Sequence, residues 1–123
     1  MLIIRREQFE AFRRSRIASF IRSITSRIEA DPPPEARRFS APERARIIEQ
    51  GVGRAIVYDL RTPTQITAYL TLAFEFGVEF DRSSWARPIL EDPELQAAAR
   101  LELLLTEAAG RRQPAARSAA SGR

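Results

Sequence analysis

Two short motifs cut this chain into helices. "SAPE" (Ser40 to Glu43) and "TPTQ" (Thr62 to Gln65) each set a hydroxyl residue, a proline in the next turn, and a Glu or Gln three residues after the hydroxyl. The hydroxyl accepts from the third backbone amide, the Glu or Gln reaches back to the amide of the cap, and the proline stands where a missing N–H costs nothing. The first motif predicts a helix over Ala41 to Tyr58 that buries Ile47, Ile48, Val52, Ala55 and Ile56. The second predicts one over Pro63 to Phe76 that turns Ile66, Tyr69, Leu70, Ala73 and Phe74 inward. Gly77 can close that helix in the left-handed conformation. Gly51 and Gly53 lie inside the first helix, where each costs up to about 1 kcal/mol relative to alanine. Close helix packing and a break near Gly51 both remain open.

Upstream, Phe9, Phe12, Ile17, Phe20, Ile21, Ile24 and Ile28 recur at helical spacings and predict a long amphipathic helix from about Arg5 to Glu29, with arginines mostly opposite the apolar half. "MLII" before it is a strand, a first helical turn or a disordered stub. "DPPPEARRF" denies the chain amide hydrogens and predicts a non-helical loop. Downstream, Asp92 and Pro93 open a last helix to about Ala109 that carries Leu95, Ala98, Leu101, Leu103, Leu104 and Leu105, and Gly110 ends it. Between these, "SSWARPIL" supplies a serine cap and one or two helical turns, with Trp85, Ile89 and Leu90 inward; Val78 or Phe80 folds back past Gly77. The expected fold is all-α: a small bundle of four principal helices plus a short helical turn near Trp85. Residues 1–110 form a single helical domain. Residues 111–123, basic and without large apolar side chains, form a disordered tail.

The 123 residues contain no cysteine and no histidine, which removes thiol nucleophiles, imidazole bases and zinc sites of the usual kind. No cofactor is implied. No run approaches the roughly 20 apolar residues of a membrane span, and "MLIIRREQFE" is too soon charged for a secretory signal, so a cytoplasmic protein is expected. All 20 basic residues are arginine, which GC-rich coding explains before mechanism does. Residues 1–30 carry seven arginines against three glutamates, residues 31–110 nine against thirteen acids, and the tail four with no acid. A basic front and tail flank an acidic middle.

The stretches "MLIIRREQFEAF", "YDLRTPTQITAYLTLAFEFG", "VEFD", "WARPIL" and "EDPEL" resemble a group of small uncharacterised bacterial proteins of type VI secretion and polymorphic-toxin gene clusters. The resemblance covers roughly residues 1–105 and departs at "GVEFD", where members more often have "GPDFD". It implies a non-enzymatic adaptor or chaperone that binds a secreted toxin or spike component, and it carries no catalytic residues. Two partner-binding surfaces are expected: an arginine face of Arg6, Arg13, Arg14 and Arg16, and an aromatic corner of Phe76, Phe80 and Trp85. A helix–turn–helix corner nailed down by Trp85 is the plainer reading of the latter.

Three alternatives compete. An immunity protein would turn the acidic middle toward a basic toxin. The arginines of the first helix and the tail could contact nucleic-acid phosphates, although no recognition motif accompanies them. An enzyme would draw on Glu75, Glu79, Asp81, Glu91, Asp92 and Glu94, whose more ordinary roles are helix caps and solvated faces.

Overall fold

A computed structural model describes residues 6–112, with side chains from Arg14 onward. Met1–Ile4 and the tail from residue 113 lie outside the described residues. The chain is all-α: α1 (Arg6–Ala30), α2 (Ala41–Val57), α3 (Pro63–Phe76), the single turn α4 (Arg87–Leu90) and α5 (Ala97–Arg112), with 3-10 turns at Pro34–Ala36 and Phe80–Arg82. No strand occurs among the described residues.

Both capping boxes form as the motifs require. The Ser40 hydroxyl accepts from the Glu43 amide while the Glu43 carboxylate accepts from the Ser40 amide, and Thr62 and Gln65 do the same. The end of α2 is closed by a device the sequence reading missed. Asp59 adopts φ 67°, the Asp59 amide donates to the Ile56 carbonyl (3.0 Å), and the Leu60 amide donates to the Ala55 carbonyl (3.1 Å). This is a Schellman closure with aspartate in the place glycine usually takes, and it drives Leu60 fully into the core. Gly77 does take a positive φ of 101°, but with ψ 155° it is extended rather than left-handed helical.

Helix α2 lies between α1 and α3 and runs antiparallel to both. Glu29 at the end of α1 is clasped by Arg44 near the start of α2, at 2.5 and 2.7 Å. That bond holds Glu29 below its usual value and raises Arg44. Between α2 and α3 the spacing is tight, because a Cβ on Gly51 would stand 2.5 Å from Leu70 Cδ2. Gly51 thus serves close packing and α2 does not break there, whereas Gly53 is exposed with open space beside it. The core is the inner surface of this layer: Ile24 and Ile28 from α1, Ile48, Val52 and Ala55 from α2, and Ile66, Tyr69, Leu70, Ala73 and Phe74 from α3. Leu101, Leu104 and Ala108 of α5 close the far side.

Several expectations need correction. The last helix begins at Ala97 rather than at Asp92 and Pro93. The Asp92 carboxylate instead accepts from the Glu94 amide at 2.9 Å, a local turn that competes with helix. The helix does not stop at Gly110 but continues to Arg112, so ordered structure extends past the expected boundary at residue 110. Leu103 and Leu105 face solvent (43% and 38% exposed), as does Ala98. The serine that caps the turn before α4 is Ser83, whose hydroxyl accepts from the Ala86 amide at 3.3 Å. Trp85 therefore lies on that turn and precedes the helix. The proline-rich loop also holds one 3-10 turn, and it buries Ala36.

Candidate functional site

The aromatic corner assembles as expected. Phe80 folds back onto Tyr69 (ring centroids 4.8 Å apart), and Trp85 packs edge-on against Phe76 (5.3 Å) and stacks on Phe80 (6.0 Å). Trp85 stays half-buried, and the Arg111 guanidinium covers its ring at 5.3 Å. The rings fill the corner with one another. That arrangement is what a structural joint between α3, α4 and α5 requires.

Beside the corner is a buried ionic cluster that spans 27 residues of sequence. Asp81 is 4% exposed, and both of its carboxylate oxygens accept from one Arg54 nitrogen (2.6 and 2.7 Å). The Tyr58 hydroxyl donates to the same carboxylate at 2.8 Å. Burial first, then the hydrogen bond to Asp81 and the Asp81 charge, push the Tyr58 phenol up to about 12, and burial followed by the Asp81 charge also raises the Tyr69 phenol. Both phenols stay protonated at neutral pH, so the cluster acts as a clamp between α2 and the turn after α3. Arg100 performs a similar service, donating to the Tyr58 carbonyl (3.0 Å) and the Asp92 carbonyl (2.9 Å). Arg38 reaches the Phe74 carbonyl at the end of α3 (2.8 Å). A guanidinium can satisfy two such acceptors at once, which a lysine ammonium does less rigidly.

Three more of the candidate acids are paired with arginines. Glu75 pairs with Arg112 (2.6 Å), Glu79 with Arg82 (3.4 Å), and Glu91 with Arg87 (3.2 Å). Among the described residues no three carboxylates gather closely enough to hold a metal ion, and no helix is long and apolar enough to cross a membrane.

The expected arginine face is not a single opposing face. Arg14 and Arg16 are both exposed, and Arg16 also stands beside Ile17 and Phe20, one turn before Phe20 on the same side. Helical register explains this: positions 6, 13, 16, 20 and 24 are separated by seven, three, four and four residues and share one side. Phe9 and Ile17 fall on that side too, so the stripe that is apolar in the second half of α1 mixes arginine with apolar positions in the first. The side chains of Arg6 and Arg13 lie outside those described.

What sequence reasoning missed is a trench between α1 and α3. Both helices pack on α2, and two adjoining hollows remain between them. One, of 330 Å³, is lined by Arg16, Ile17, Phe20, Ile56, Arg61 and Ile66. The other, of 280 Å³, runs past Ile24, Arg27, Ile28 and Asp31 on one side and Thr67, Leu70, Thr71 and Phe74 on the other. The lining residues advance together along both helices, so α1 and α3 run in the same sense and the trench follows their length. The first hollow is at the small end of the ~300–1,000 Å³ range of ligand pockets and the second falls below it. A third depression, of 750 Å³, lies over the Arg54–Asp81 clamp. Arg54 and Arg82 there both contact Glu79. One signal in the sequence marks the trench: from Pro63 to Phe76, in a chain that is 29% charged, the only charged residue is Glu75.

Comparison of the chain with protein-family models, with curated proteins and with solved structures finds no match.

Proposed function

We propose that this chain is a non-enzymatic, protein-binding accessory: an adaptor or chaperone for a secreted toxin or a type VI spike component. The observation that carries the reading is the hollow at the start of the α1–α3 seam, where half-buried Ile17, Phe20 and Ile56 stay partly open beside exposed Arg16 and Arg61. A partly open apolar hollow with a charged rim is the kind of place where an apolar side chain of another protein anchors. The resemblance of the sequence to small proteins of toxin and secretion gene clusters suggests the kind of partner. The ionic clamps at Arg44 and Arg54 add to the case, because they tie α2 to the end of α1 and to the turn after α3 and so hold the frame around the hollow.

The test is co-expression with the products of neighbouring genes. The proposal expects a stoichiometric complex and improved solubility or loading of a toxin or spike component. Rescue of cells from killing, with no effect on solubility or loading, would make the chain an immunity protein instead. Turnover of a substrate that survives removal of every co-purifying protein would contradict the non-enzymatic part of the reading.

A further inference from the structure

We infer that the last turn of α5, residues 109–112, is a strap that opens and closes over the Trp85 corner and is held shut by two electrostatic contacts. The inference goes beyond the protein-binding reading and does not depend on it.

Helical register sets this turn apart from the rest of α5. Leu101, Leu104 and Ala108 are the buried residues of the helix, at spacings of three and four. The next positions on that side are 111 and 112, and both are arginine. The helix therefore enters its last turn with no large apolar side chain to bury, and Ala109 is exposed. Gly110 stands in the same turn, and glycine is the poorest helix former after proline. Buried Ala108 is the last fixed point, and Gly110 is the natural hinge beyond it.

Two contacts close the strap. Arg112 Nε donates to both carboxylate oxygens of Glu75 at the end of α3 (2.7 and 2.6 Å), and the Arg111 guanidinium covers the Trp85 ring at 5.3 Å. The Arg112 and Glu75 side chains keep 36% and 22% of their surface in water, and an ion pair this open to solvent is weak and is screened by salt. A cation over a partly exposed aromatic face is of the same weak order. Beneath the strap the corner is fixed by other means, since Trp85 packs on Phe76 and Phe80 and the neighbouring Leu90 is buried. The strap can leave without unfolding what it covers. Closed, it holds a guanidinium over the chain's only tryptophan; open, it offers Trp85 beside Phe76 as an aromatic surface.

Residue-resolved amide hydrogen exchange on the full chain, together with acrylamide quenching of Trp85 fluorescence, tests the strap. In wild type the amides of residues 109–112 should exchange faster than those of Leu104 and Ala108. Arg112→Gln should speed the strap amides about fivefold, the factor given by losing an exposed ion pair at the upper end of its range, and should leave Leu104 unchanged. Glu75→Gln should do the same, and the double variant no more than either single one. Gly110→Ala should act in the opposite direction and slow the exchange of the strap. Quenching should follow in parallel, stronger in both glutamine variants and weaker in Gly110→Ala. Raising sodium chloride from ~0.05 to ~0.5 M should mimic Arg112→Gln in wild type and have a smaller effect on that variant. Exchange that speeds equally throughout α5 would reduce the pair to an ordinary stabilising contact and overturn the strap. So would faster strap exchange with unchanged quenching, because the turn would then fray without uncovering Trp85.

Discussion

Asp59 holds a left-handed backbone conformation (φ 67°) that an L-residue other than glycine enters at a cost of roughly 1–2 kcal/mol. Its carboxylate offsets this only weakly, through exposed contacts with Arg61 at 3.2 Å and Arg100 at 3.9 Å. Asp59→Gly is therefore expected to raise stability by about 0.5–1 kcal/mol, after part of the gain is lost to the freer unfolded chain; urea unfolding measures it, and a lower midpoint would mean that the carboxylate matters more than the backbone. At the clamp, the folded chain keeps the Tyr58 and Tyr69 phenols protonated beyond the ordinary value of 10. The unfolded chain binds fewer protons at these groups once the pH passes 10, so stability is full below that pH and falls as it rises toward 12. Tyr58→Phe should roughly halve the slope of that decline across the window, because one of the two titrating phenols is gone. An unchanged slope would place the alkaline transition elsewhere.

Gly51 and Gly53 lie two residues apart, on opposite sides of α2, and ought to respond oppositely to the same substitution. At Gly51 a methyl group meets the fully buried Leu70 side chain at 2.5 Å, and overpacking of this kind typically costs about 1–3 kcal/mol. Gly53 faces open space, so alanine there brings the helix-propensity gain of up to about 1 kcal/mol unopposed. Thermal unfolding of the two variants should move in opposite directions, and parallel shifts would contradict the α2–α3 packing. The two glycines looked alike in the sequence because nothing local tells which one α3 approaches. The starts of α2 and α3 were legible to the residue, since a capping box is a contact among four neighbours. The start of α5 was not: Asp92 and Pro93 carry the right letters, yet the Asp92 side chain bonds two residues on and delays the helix to Ala97. The run Leu103, Leu104, Leu105 carries no periodicity to say that only Leu104 points inward. The inward set of α3 was read correctly except for Leu72, which a helix buried on several sides also hides.

At the scale of the whole molecule, three antiparallel neighbours, α1, α2 and α3, form a layer that α5 closes on one side, leaving the trench between α1 and α3. The aromatic corner was readable in outline, because Phe76, Phe80 and Trp85 lie within ten residues of one another. The trench was not, since its walls are 40 to 50 residues apart and meet only through their common neighbour α2. The Arg54–Asp81 clamp escaped notice for the same reason. On the proposed protein-binding role, two surfaces compete as the docking place: the trench, where Ile17 and Phe20 are partly open beside Arg16 and Arg61, and the Trp85 corner, whose rings are already packed on one another and capped by Arg111. Hydrogen–deuterium exchange of the chain, alone and in complex with the co-purified partner, distinguishes them. Added protection along Ile17 to Asp31 of α1 and Thr64 to Thr71 of α3, with Phe76 to Leu90 unchanged, is the predicted result; protection gained around Trp85 while α1 and α3 exchange as before would contradict it.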